Sequence, residues 1–220
     1  MKDLSLDQIL QSPDPAGKLC FYADLVSGQK RLPKEYEDII KTSNNLNAMY
    51  LYARNVMRSR WKEVEDKIKY DPQIAYKYAY DVIKGPWEEA EPYIIKDAPI
   101  ACRYAVYIVG ERLPKAERYI MKYPYWAYLY ASKIIKRRWP EAEPYIMKNS
   151  KWAYEYAREI IRRRWPEAEP YIMKDPEYAY WYAYHIIKGR WEEAEPYIMK
   201  NSKWAHEYNE DIIVKIPNED

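Results

Sequence analysis

The chain has 220 residues, of which 48% are hydrophobic and 32% charged, enough apolar material for a buried core beneath a wettable surface. Its 36 basic and 34 acidic side chains leave a formal charge of +2, a balance that marks neither a nucleic-acid binder nor a membrane-surface protein. Cys20 and Cys102, the two cysteines, stand in unrelated contexts, so neither a disulfide framework nor a zinc site is expected and a reducing compartment is.

In chain order, Ser5-Leu6-Asp7-Gln8 has the form of a capping box opening a short helix, which Pro13-Asp14-Pro15 stops. The start, Met1-Lys2-Asp3-Leu4, lacks the basic-then-apolar form of a secretory signal. No apolar run reaches membrane-spanning length. A cytoplasmic protein without membrane contact is the expectation. Residues 1–19 read as an N-terminal cap helix. Residues 20–47 read as a divergent repeat, because Phe21-Tyr22-Ala23 and Leu32-Pro33 echo pairs that recur downstream.

From residue 48 to 203 a 26-residue unit is copied six times. Trp61, Trp87, Trp139, Trp165 and Trp191 fall on one lattice, with Leu113 in the remaining slot. Tyr52, Tyr78, Tyr104, Tyr130, Tyr156, Tyr182 and Tyr208 fall on a second, and Ala53, Ala79, Ala105, Ala131, Ala157 and Ala183 on a third. A period of about 20–50 residues marks a solenoid or array.

In the unit that begins at Asp175, Asp175 caps a helix, Pro176 suits its first turn and Glu177 its positive end. Asp71-Pro72 repeats that signal, while Asn149-Ser150 and Asn201-Ser202 supply other capping residues. Ala179, Tyr182, Ala183, Ile186 and Ile187 make a buried stripe at helical spacing, and Gly189, like Gly85, is placed to end a helix of about 14 residues. Trp165-Pro166 opens a second, shorter element. Pro170 forces a tight first turn there, and Trp165, Ala168, Ile172 and Met173 face inward.

Residues 204–220 read as a C-terminal cap helix and charged tail, with Asn209 at the inner-alanine slot and Ile216-Pro217 stopping the helix. The expected fold is all-α: an α-solenoid of about six helix-turn-helix repeats between divergent caps.

The phrase Trp-Pro-Glu-Ala-Glu-Pro-Tyr-Ile-Met-Lys, with Ala-Tyr-x-Tyr-Ala upstream, resembles tandem repeats of bacteriophage proteins and some bacterial ones. More loosely, it is similar to short helical-hairpin repeats of large DNA viruses and protists. The likeness covers residues 48–214 and implies an all-helical repeat fold, a phage origin and a host cytoplasm as the place of action. It brings no catalytic residue. Lys62 and Leu113 depart from the motif at its Pro and Trp slots.

No nucleophile motif, phosphate loop, cofactor signature or metal-ligand spacing is present, and no enzymatic activity is expected. One Glu per repeat, from Glu65 to Glu195, pairs most simply with the Arg of the same unit. Variable slots on the first helices are where recognition of a protein partner can be written. Trp181, Tyr184, His185, Leu129, Tyr107 and Lys77 are the candidates, with Trp181 expected to be exposed. A second reading takes Lys136, Arg137, Arg138, Arg162, Arg163 and Arg164 as an RNA or single-strand site, since residues 126–175 hold eleven basic and seven acidic side chains. Self-assembly of the chain into a homo-oligomer through exposed aromatics is a third.

Overall fold

The computed structural model describes residues 5–25 and 31–214, and these are helices, turns and short connections with no strand among them. Residues 215–220, where the charged tail is expected, lie outside the described residues. The all-helical repeat architecture read from the sequence is present. Packing divides the chain into two compact units, Met1–Val109 and Gly110–Asp220.

The first unit opens with Leu6–Leu10, whose capping box is formed: Gln8 N–H donates to Ser5 Oγ and Ser5 N–H to Gln8 Oε1. Pro15–Leu25 follows, running across residues 19 and 20, then Lys34–Thr42 and the first complete hairpins. The second unit holds Pro114–Ile120 and the first helices starting at Pro124, Ser150, Pro176 and Ser202, with short second helices between them.

Each first helix is a composite. From Pro72 on, seven α-helical residues, such as Ser150–Tyr156, continue into five of π-helix, here Ala157–Ile161; the first copy has six of each, Leu46–Leu51 and Tyr52–Met57. The helix is therefore slightly shorter than expected and its last turn is wider. Asp71, Asn149, Asp175 and Asn201 cap the N-termini through their side chains as predicted, and Asp97 does the same.

The termination is different from the expectation. Gly85 and Gly189 do not end the helices; the preceding residue does. Arg58, Lys84, Lys136, Arg162 and Lys188 take φ between 52° and 60°, and Gly110, at the equivalent slot, takes 75°. In the wide last turn the N–H of Lys136 donates to Ala131 C=O and that of Arg162 to Ala157 C=O, both at 2.7 Å. The left-handed residue has to follow that bond, so the basic side chain sits where glycine would be less strained.

The second elements explain themselves by proline. Where Pro92, Pro144, Pro170 and Pro196 remove a donor, an open turn leads into four helical residues, as in Glu143–Ile146. Asp66 and Arg118 stand at that slot in Lys62–Ile68 and Pro114–Ile120, and both helices run to seven residues.

The inner face is as the lattices predict. The five lattice tryptophans are 2–3% exposed and the lattice tyrosines, alanines and isoleucines are fully buried. Met173, Ile186 and Ile187 are half-buried, and Asn209 is exposed where the other copies bury alanine.

Each lattice tyrosine joins two repeats. The Tyr156 ring packs against Trp165 of its own hairpin at 5.3 Å between centroids. Its hydroxyl accepts the Trp139 N–H of the preceding hairpin at 2.6 Å and donates to Glu143 Oε1 at 3.1 Å. Arg138 holds the same carboxylate with two parallel bonds of 2.8 and 2.7 Å. The arrangement recurs at Tyr52, Tyr78, Tyr130, Tyr182 and Tyr208. Pro86 stands at the arginine slot beside Glu91 and Tyr104. The Arg–Glu pairs are thus less superficial than expected, with Glu37, Glu65, Glu143 and Glu169 each 8% exposed.

Even the divergent repeat keeps this joint. Arg31 grips Glu37, and Tyr52 bridges Glu37 to the Leu32 N–H. Burial pushes the Tyr208 phenol up to about 12 and the other lattice phenols further above their ordinary range. Burial alone would raise Glu65 also, but the bonds from Arg60 and Tyr78 hold it below the usual carboxylate range.

Candidate functional site

The outer face of the first helices carries a second set of joints with a spacing of 31 residues. Tyr128 donates to Glu159 at 2.6 Å, Tyr180 to Asp211 at 2.7 Å, and Tyr154 meets His185 Nδ1 at 2.9 Å. In the first unit Tyr50 donates to Asp81, and Asn55 donates to Asp24 across the same register. The sequence reading placed His185 among the variable slots of the first helices. A tyrosine meets a different partner in each pair, Glu159, His185 or Asp211, a pairing visible only once the register is known.

The same tyrosines stack on an aromatic residue 24 positions on: Tyr128 on Trp152 at 5.5 Å, Tyr154 on Tyr178 at 6.0 Å and Tyr180 on Trp204 at 5.5 Å. Lys151 and Lys203 lie over the Trp152 and Trp204 rings, at 4.7 and 4.1 Å. Seven rings of the second unit form one connected group: Tyr154, Tyr178, Tyr180, Trp181, Tyr184, His185 and Trp204.

Trp181 is at its centre, and it is half-buried rather than exposed. Its indole stacks on His185 at 5.3 Å, with the rings 23° apart, and its edge meets Trp204 at 5.9 Å. The correction has a plain cause: a wide side chain on an aromatic-rich helix covers itself with its neighbours' rings. A cleft of about 380 Å³ opens beside it, with Tyr154, Tyr178, Trp181 and His185 on its apolar side and Lys151, Glu155, Arg158 and Glu177 around it. Tyr184 is 43% exposed at the margin of this cluster.

Of the other partner candidates, Leu129 is half-buried in the second unit. Lys77 and Tyr107 belong to the first unit, where Lys77 is half-buried and Tyr107 is 60% exposed. The structure brings Trp181, Tyr184 and His185 together.

The arginine candidates separate into roles. Arg138 and Arg164 are committed to Glu143 and Glu169. Lys136 and Arg162 are the left-handed residues ending their helices, and Arg162 Nε also donates to Glu159 C=O at 3.1 Å. Arg137 and Arg163 are exposed. Among the described residues no cluster of His, Cys, Asp and Glu is placed to hold a metal. Cys20 and Cys102 are buried, their thiols pushed up to about 12 by that burial. No described helix is long and apolar enough to cross a membrane.

Fold and surface together define a class: a helical repeat protein whose repeats are joined on both faces and whose outer face carries clustered aromatic rings. No family model, curated protein or solved structure matches the chain.

Proposed function

We propose that the chain is a non-enzymatic scaffold that binds another protein through the outer face of its first helices in the second unit. One observation carries this reading: the stacked rings of half-buried Trp181 and exposed His185 line a 380 Å³ cleft framed by Tyr154 and Tyr178. Rigid aromatic surface beside a cleft with charged margins is the composition of a protein-binding hot spot. The ring cluster costs little to order on binding, because stacking and the Tyr154–His185 contact already hold it. The likeness of the repeat motif to those of phage proteins makes a host factor the partner class it implies.

The test is a tagged pull-down from a bacterial lysate, divided into nuclease-treated and untreated halves, with a Trp181→Ala/Tyr184→Ala variant in parallel. A stoichiometric protein that survives nuclease and is lost with the variant supports the reading. Capture that disappears with nuclease refutes it. Light scattering on the purified chain separates self-association, which gives a concentration-dependent mass.

A further inference from the structure

The second unit contains a second cleft, lined by basic side chains of two neighbouring hairpins. At the slot that holds Tyr80 and Tyr184 in other copies, Ser132 and Arg158 stand in these two hairpins; at the slot that holds Gly85, Glu111 and Gly189, Arg137 and Arg163 stand. Both hairpins thus lack a ring at the first slot and carry a cation at the second. The cleft has a volume of about 770 Å³. Five cations line it, from Lys136, Arg137 and Arg138 on one hairpin to Arg158 and Arg162 on the next.

The one carboxylate in the lining, Glu159, is occupied: Tyr128 donates to it at 2.6 Å, Arg158 reaches it at 3.4 Å, and these contacts hold it below the usual carboxylate range. Two of the cations are occupied too, Arg138 by Glu143 and Arg158 by Glu155 at 2.7 Å. Lys136 and Arg137 have no acidic partner among the described residues, and the terminal nitrogens of Arg162 are uncommitted because its bond to Glu159 C=O uses Nε. Three cationic heads therefore line one cleft without an ion pair of their own among the described residues. The left-handed backbone at Lys136 and Arg162 aims two of them, since it turns the chain sharply at the helix end.

We propose that this cleft binds a compact oligophosphate group, of the kind carried by inorganic triphosphate or by the phosphate tail of a nucleotide. Guanidinium forks match phosphate oxygens in pairs, and the volume falls in the range of small-molecule sites. The lining contains no aromatic ring, so no surface stacks successive bases as single-strand binders do.

Titration calorimetry of the full chain with inorganic triphosphate tests this, with ATP, AMP and a single-stranded RNA as further arms. One site per chain is expected. Arg137→Gln/Arg162→Gln should weaken it by at least tenfold, about 1.4 kcal/mol. Arg163→Gln removes a charge of the same kind outside the cleft and should leave the affinity within about twofold, 0.4 kcal/mol. ATP binding as tightly as triphosphate assigns the site to the phosphate chain alone, and tighter binding assigns it to a nucleotide. The proposal is overturned if triphosphate does not bind, if Arg163→Gln weakens binding as much as the double variant, or if RNA binds more tightly than triphosphate with an affinity that grows with its length.

Discussion

Tyr156→Phe removes one oxygen and tests the joint on which the stacking of hairpins depends. The hydroxyl is fully buried, accepts the Trp139 N–H at 2.6 Å and donates to Glu143 Oε1 at 3.1 Å. Phenylalanine keeps the ring packing on Trp165 and leaves the Trp139 N–H without an acceptor in a site closed to water. An orphaned buried donor costs about 1–3 kcal/mol, and a lost bond to a charged acceptor about 1.5–3. Glu143 keeps both bonds from Arg138, so the two losses overlap and about 2–4 kcal/mol is expected. Tyr184→Phe is the control, since its ring is 43% exposed, and it should stay within about 0.5 kcal/mol. Urea unfolding measures both variants, and hydrogen exchange at the Trp139 amide locates the change. If Tyr156→Phe falls within about 0.5 kcal/mol of the parent and the Trp139 amide stays protected, the hydroxyl is not what joins the hairpins.

Other outcomes follow from the same geometry. Trp165→Ala should cost about 3–5 kcal/mol, and Trp165→Leu less, because Leu113 already serves at that slot. Lys136→Gly relieves a left-handed residue at φ 56° and should stabilise by up to about 1 kcal/mol, whereas Gly110→Ala, at φ 75°, should destabilise by about 1–2; thermal unfolding of the two variants must move in opposite directions. A Tyr208 phenol raised to about 12 favours the folded state fully below the ordinary value of 10.0, and that contribution is lost as pH rises through the folded value. Tyrosinate absorbance should therefore show the lattice phenols ionising only together with loss of helical dichroism; free titration near 10 in folded protein contradicts the burial. At the acid end Glu65 and Glu195, held below 4.5, contribute stability above that pH and lose it as pH falls through their folded values.

Much of this protein was legible before any coordinates. The spacing of Trp, Tyr, Ala and Ile fixes the period and the buried stripe, because only stacked copies can cover identical faces. Capping residues such as Asp71 and Asn149 and a proline such as Pro170 act within a few residues, so they could be read one by one. Tertiary structure decided the rest, and each instance depends on groups distant in the chain. The Tyr156 hydroxyl finds its partners 17 and 13 residues back, and Tyr154 finds His185 31 residues on. The helix ends at Lys136 and not at a glycine because the π turn places the left-handed residue there. Trp181 is covered by Trp204 and His185, which a slot comparison cannot register. The arginine run looked uniform in sequence; packing divides it into carboxylate clamps, helix ends and the free cations of a cleft, because only the fold determines which charges meet an opposite one.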